Sequence, residues 1–521
     1  MKAGFRQSMA WLHEWAGLLM GWLLFAIFLT GTIAFFRDEV THWMQPELHG
    51  VRAEAGGATA ADVGLDWLRS NAAGAGMWML TLPDERSPVL GAAWRPDGAP
   101  AGRAGFRRAE LDPATGAELH PRETAGGNFL YRFHFELYAV PRDTARWIVG
   151  IATMFMFVAI ISGIITHRRI FKDIFTFRPD KAGQRSWLDA HNATAVLALP
   201  FHVMITYSGL VLLAGTLMPF LFDGPRSGGE RGGERPLAHA VAPASAAAPV
   251  VPLAPLIQAA EARWGGKVGS VTITRPGRPG AEIELRPLHA ASLPTAGRTG
   301  DRLILDAADG RLIRAVDGSA GMSTVAEINT VINVLHRARF AEPWLRWLFF
   351  VAGVAGTIMV ASGLVLWVVK RAAQHARNGG PSIGFRIVER LNVAGIAGLC
   401  LATAGYFWAN RLLPADLAGR AEWEIRIFFL VWAATALHAL ARPVRRGWVE
   451  QLGVSALLLA VLPLAGMPGL LAGDARVIGF ALVSLATAAG LAHAARRLSR
   501  PAAAGRPAAR RRTAMAAGER A

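Results

Sequence analysis

The chain has 521 residues, is 52% hydrophobic and carries 17 Trp. A soluble protein of this length divides into domains with amphipathic patterning, whereas here apolar runs of about 20 residues or more recur, enough to cross a hydrocarbon core of about 30 Å. The net charge of +17 sits in clusters that flank those runs: Lys2/Arg6, Arg168 through Arg185, Lys370/Arg371/Arg377, Arg442/Arg445/Arg446 and Arg496 through Arg512. Such placement follows the positive-inside rule, so nucleic acid is not required. The single cysteine, Cys400, excludes an intrachain disulfide, and the lack of any CxxC or CxxCH motif excludes thiolate-held clusters and covalent c-type haem.

In chain order, eight spans are expected, at about Trp11–Phe36, Trp147–Thr166, Ala190–Phe222, Leu345–Val369, 388–411, 423–441, 448–470 and 475–495. The first is read as an anchor, because its apolar run exceeds a signal-peptide h-region and no A-x-A site precedes Arg37/Asp38. Alternating the spans from a cytoplasmic N-terminus puts every basic cluster on the cytoplasmic side of a bacterial inner membrane. Segments 37–140 and 223–340 are then periplasmic. Each shows a helical stretch (Ala58–Ser70; Pro255–Trp264) followed by alternating strand-like runs such as Met77–Leu82 and Val271–Thr274. They share a turn, Leu111-Asp112-Pro-Ala-Thr-Gly116 against Leu305-Asp306-Ala-Ala-Asp-Gly310, and two small α+β modules are expected. A Gly/Ser/Arg- then Ala/Pro-rich linker precedes the second module.

The fold class is therefore a polytopic α-helical membrane protein built on a duplicated unit. Its expected divisions are 1–36 (span one), 37–140 (module one), 141–222 (spans two and three), 223–340 (linker and module two), 341–371 (span four), 372–500 (a four-helix appendage) and 501–521 (a disordered basic tail). The duplication sets Trp11-Leu-His13 beside Trp187-Leu-Asp-Ala-His191, His134 beside His336, and Gly163 beside Gly363.

Six histidines, His13, His134, His167, His191, His202 and His336, fall at or within the first four spans, and an ionisable residue at membrane depth is a functional hypothesis. On one straight helix His191 and His202 would face the same side, about 16 Å apart along the axis. Imidazoles at two depths suit two stacked b-type haems, each held by His from facing helices. Symmetry pairs His13 with His191 and His134 with His336; the alternative recruits His202 to the upper haem and His167 to the lower. Gly17, Gly21, Gly209, Gly353, Gly356 and Gly363 would let a flat macrocycle approach the backbone. His438 and His493 are read as structural, and His42, His49, His120, His239, His289 and His375 as solvent-side. Tyr131, Arg132, Arg142, Arg337 and Arg339 are candidates to line a periplasmic cleft. No G-x-G-x-x-G after a strand is visible, so no flavin or nicotinamide site is expected and the donor is another protein, quinol or a diffusible molecule.

The motifs Trp11-Leu-His13-Glu-Trp15-Ala-Gly17, Gly163-Ile-Ile-Thr-His167-Arg168-Arg169-Ile-Phe171-Lys172, Phe175-Thr-Phe177-Arg178-Pro179, Trp187-Leu-Asp189-Ala-His191-Asn192, Leu199-Pro200-Phe201-His202 and Leu335-His336 resemble the PepSY-associated transmembrane helix family over about residues 1–371. The resemblance implies PepSY-like periplasmic modules and membrane haem with His ligands at the six positions named. It also implies a ferric-siderophore reductase, with ferric siderophore as periplasmic partner and lipid around the helices. A generic b-type electron-transfer cytochrome and a haem-free regulatory or binding protein are the alternatives.

Overall fold

The computed structural model describes residues 4–52, 56–100, 102, 105–166, 183–218, 249–288, 300–320, 322–338, 340–377 and 379–500. Among these residues eight helices are long and apolar enough to cross a membrane. The first four spans are α1 (Phe5–Ala34), α5 (Arg142–Thr166), α7 (Leu199–Leu217) and α10 (Pro343–Arg377). At 1.5 Å per residue the 30 residues of α1 reach about 45 Å, beyond a hydrocarbon core of about 30 Å. Short helices α2 (Arg37–Met44), α4 (Gly126–Glu136), α6 (Gly183–Leu197) and α9 (Thr324–His336) pack around them.

The third span is not the single helix expected over 190–222. It breaks at Ala198 (φ −107°, ψ 19°), with Pro200 in the first turn of α7. Proline donates no N–H and restricts the residue before it, so the chain starts a new helix there. The straight-helix relation between His191 and His202 is thereby removed.

The last four spans are α11 (Ile383–Asn392) joined through a π-helical turn (Val393–Ala397) to α12 (Gly398–Leu412), then α13 (Arg420–Ala441), α14 (Val444–Val461) continuing through α15 (Met467–Leu471), and α16 (Ala475–Ser499). They do not stand apart as an appendage. Asn392 accepts from Trp22 Nε1 at 2.9 Å and donates to the Leu364 carbonyl at 3.1 Å, and Leu399, Tyr406 and Phe428 share a buried cluster with Phe25 and Trp43.

The two polar segments likewise merge. Four strands from each, β1 (Met77–Thr81), β2 (Leu90–Arg95), β3 (Arg107–Leu111), β4 (Glu118–Leu119), β5 (Val268–Thr274), β6 (Glu282–Pro287), β7 (Arg302–Asp306) and β8 (Leu312–Val316), form one antiparallel sheet in the order β4-β3-β2-β1-β5-β6-β7-β8. The β1–β5 seam sets Leu80 opposite Val271 and Met79 opposite Thr272. α3 (Gly56–Asn71) and α8 (Ala254–Trp264) cover one face, and Leu65, Leu68, Leu80, Leu90, Val271, Ile257 and Ile283 form a single core beneath them. The expectation of two separate modules is corrected: neighbouring edges of equal hydrophobic register pair rather than remain exposed. The shared turn closes as expected, with Asp112 Oδ1 accepting from the amides of Ala114 and Thr115 and with Gly116 and Gly310 in the left-handed region. The linker lies almost wholly outside the described residues, and the tail at 501–521 entirely so.

Candidate functional site

The helices bring four of the six candidate histidines together as two facing pairs. The rings of His13 (α1) and His191 (α6) lie 6.2 Å apart between centroids, and those of His134 (α4) and His336 (α9) lie 6.4 Å apart. On α1, His13 and the Ile27–Gly31 contact of His134 are about 21–27 Å apart at 1.5 Å per residue, so the pairs occupy different depths. Each pair takes one ring from each half of the duplication.

Each of the four rings has Nδ1 seated on a protein oxygen. His13 Nδ1 donates to the Ala159 carbonyl at 2.8 Å, His191 Nδ1 to Met359 at 2.8 Å and His134 Nδ1 to Ile27 at 2.7 Å. Nδ1 of His336 lies 2.7 Å from Ser208 Oγ and faces the Ile205 carbonyl. That hydroxyl already donates to Met204, so it accepts from Nδ1. Four residues after each bonded or facing carbonyl stands a glycine, Gly163, Gly363, Gly31 and Gly209 respectively, and the imidazole fills the space a Cβ would take. A Cβ at Gly31 would sit 2.6 Å from Nδ1 of His134; at Gly163 and Gly363 the ring Cε1 would be 3.1 Å away, and at Gly209 3.4 Å. Protonation at Nδ1 leaves Nε2 of each ring unprotonated, the form in which an imidazole nitrogen can act as a ligand.

His202 joins neither pair. It is 1% exposed, stands edge-on to Phe28 with centroids 6.1 Å apart, and has Nε2 within 3.1 Å of where a Cβ on Gly356 would lie. Neither ring nitrogen has a hydrogen-bond partner among the described residues. Its counterpart in the first half is Leu24, which packs in one buried cluster with Met156. His167 lies outside the described residues.

Of the other glycines singled out in the sequence, Gly21 meets Leu364, Gly353 meets Thr32, and Gly17 faces open space. Gly31, a close seat, carries no signal in a single sequence because it sits unmarked in an apolar run.

A cavity of about 360 Å³ opens beside the His134–His336 pair, lined by both rings, Tyr131, Asn333, Arg37, Arg86, Arg146 and Arg337 among others. Arg86 binds Glu39, Arg346 also reaches Glu39, and Arg37 binds Asp38. Of the expected cleft residues, Tyr131 and Arg337 line it. Arg132 and Arg142 instead turn to Glu136, which Arg146 also binds, and Arg339 lies outside the described residues. Burial of Glu136 works toward protonation, yet the three guanidiniums outweigh it and hold the carboxyl below its usual range. Arg37, Arg86 and Arg146 were missed because their approach to the cavity is made by tertiary packing.

His42, expected on the solvent side, is buried against Asp474 at 2.7 Å. His438 is fixed by Glu450 at 2.8 Å and by Gln451, a structural setting.

Apolar helices and a facing pair of imidazoles at each of two depths define a multi-pass membrane protein with a paired-histidine core. The chain belongs to the family described as PepSY-associated TM region, whose model matches residues 10–370. It is similar to Uncharacterized protein PA4219 of Pseudomonas aeruginosa, with 26% identity over 351 residues, covering 64% of this chain and 86% of that protein.

Proposed function

We propose that the chain is an inner-membrane protein holding two b-type haems, one on His13 and His191 and one on His134 and His336. In this reading it moves electrons from the cytoplasmic side to the periplasm, where ferric siderophore is reduced and Fe(II) released. The observation that carries the reading is the doubled imidazole pair. The rings lie 6.2 and 6.4 Å apart between centroids, a separation at which both imidazoles of a pair would hold one metal centre between them. All four Nδ1 atoms are spent on protein oxygens, the outer partners that orient a metal-bound imidazole.

Bound iron porphyrin would supply one-electron transfer between ferric and ferrous states. The protein's part is to fix the four rings, keep their Nε2 lone pairs unprotonated in an apolar bundle, and offer an entrance. Tyr131, Asn333 and Arg337 at the cavity mouth suit carboxylate or other anionic groups, of a porphyrin edge or of a chelate. Reduction loosens hard-oxygen ligands on iron because Fe(II) is the softer ion.

Orientation follows from charge. Arg6 bonds the Thr166 carbonyl, Lys370 and Arg371 bind Glu14, and Arg445 bonds the carbonyls of Leu498 and Arg500. These basic residues thus gather at the helix ends remote from the sheet, where the positive-inside rule puts the cytoplasm.

The test is to reduce the purified protein with dithionite, add ferric siderophore anaerobically and follow the haem bands while trapping Fe(II). Reoxidation with matching Fe(II) supports the reading. Stable reduced haem makes the chain a cytochrome for another acceptor, and protein without a Soret band after haem-replete expression overturns the proposal.

A further inference from the structure

The four C-terminal helices lie beyond the residues the family model matches, yet their buried charged pair and the polar groups beside it converge on the few residues that lead into α4. Arg420, Glu424 and Asn410 are each 0% exposed. Glu424 accepts from Thr124 Oγ1 at 2.7 Å, from the Ala125 amide at 3.0 Å and from Asn410 Nδ2 at 2.7 Å. Arg420 pairs with Glu424 at 2.5 Å and donates to the Glu123 carbonyl at 2.8 Å. Tyr406 donates to the carbonyl of Gly126, the first residue of α4, at 2.8 Å. Farther along α4, Phe129 and Phe133 meet Phe428 and Phe429 with centroids 5.2 to 6.2 Å apart.

Among the described residues, the equivalent helix of the second half has no such cover. On α9 the matching positions, Val331 and Leu335, are only half-buried, and Val325 and Ile328 nearer its start are 70% and 54% exposed, whereas Phe129 and Phe133 on α4 are each 6% exposed. One helix of the pair that carries His134 and His336 is therefore anchored at its start and along one face, and the other is held chiefly through α7. A buried, fully bonded ion pair resists rearrangement because separating it strands a charge.

We propose that α12 and α13 clamp α4, making His134 the stationary member of the upper pair and His336 the movable one, with Tyr406, Arg420 and Glu424 as positioning residues. The tuning of a cofactor rests on the haem reading above; the mechanical claim does not.

The experiment uses full-length protein, wild type, Tyr406→Phe and Glu424→Gln, in hydrogen–deuterium exchange and in a potentiometric titration of the haem bands. In the wild type, peptides covering 324–336 exchange faster than those covering 122–136. Both variants raise exchange in 122–136 by about tenfold, the weight of a hydrogen bond or more, and leave 324–336 unchanged. One haem potential shifts and the other does not. Tyr406→Phe loses a single hydroxyl, so it reports even where Glu424→Gln does not fold. Unchanged exchange at 122–136 in folded Tyr406→Phe protein overturns the clamp, as does equal exchange of the two helices in the wild type. Raised exchange with both potentials unmoved overturns the positioning role. Protein lacking haem sinks the functional reading instead, and the exchange data still decide the clamp.

Discussion

Gly31 and His134 occupy one another's space: the ring lies where the glycine's side chain would start, with Nδ1 2.6 Å from the ideal Cβ position. Gly209 leaves its partner His336 more room, at 3.4 Å. A graded outcome is expected. On the proposed two-haem reading, Gly31→Ala ejects His134 from its seat and lowers haem per chain from about two to about one, whereas Gly209→Ala retains both. A pyridine haemochrome assay against protein concentration reads the ratio, and equal retention in the two variants would contradict the seating.

Single replacements separate ligands from neighbours. On the same proposed reading, His13→Ala and His191→Ala each cost the lower haem, and His134→Ala and His336→Ala the upper. His202→Leu, which installs the residue the first half places there as Leu24, keeps both. Difference spectra of the reduced proteins show which band is lost. Loss of a haem in His202→Leu would restore the alternative pairing.

The seam between β1 and β5 is open to a covalent test because Met79 stands opposite Thr272 and the chain's own cysteine, Cys400, lies half-buried in α12. Met79→Cys with Thr272→Cys should close an intramolecular disulfide under mild oxidation, seen as faster migration without reductant. Two independent modules would leave both thiols free to alkylation.

Acid sensitivity is expected from His49. Burial first, then the charges of His42 and Arg411, lowers its imidazole from 6.5 to about 4. The unfolded state therefore takes up a proton that the folded state refuses, and stability falls as pH drops from about 6.5 toward 4. Asp474, kept ionised far below this window by His42 and Arg476 despite its burial, adds nothing to the slope there. Thermal midpoints in detergent should fall by a few degrees between pH 7 and 5, and His49→Gln should flatten the trend. Parallel slopes would remove His49 as the cause.

The spans were readable because a hydrocarbon slab demands long apolar runs whatever the neighbours, and the symmetric histidine pairs because a duplication writes each position twice. The break at Ala198 was not readable: a proline two residues on is equally at home in the first turn of a helix and in a kink. Nor was the common sheet, since β1 and β5 are almost two hundred residues apart and nothing local in either names its partner. Likewise nothing local in the sequence marks Arg420 and Glu424, and only tertiary packing buries them against Thr124.

Because each imidazole pair draws one ring from either half, a half-length polypeptide would own two incomplete sites and would need a second copy to finish them. Joining the halves in one chain makes that assembly unimolecular, so site occupancy no longer depends on protein concentration in the bilayer. It also permits asymmetry, for helices attached after the second half can brace the first alone, which no pair of identical subunits could arrange.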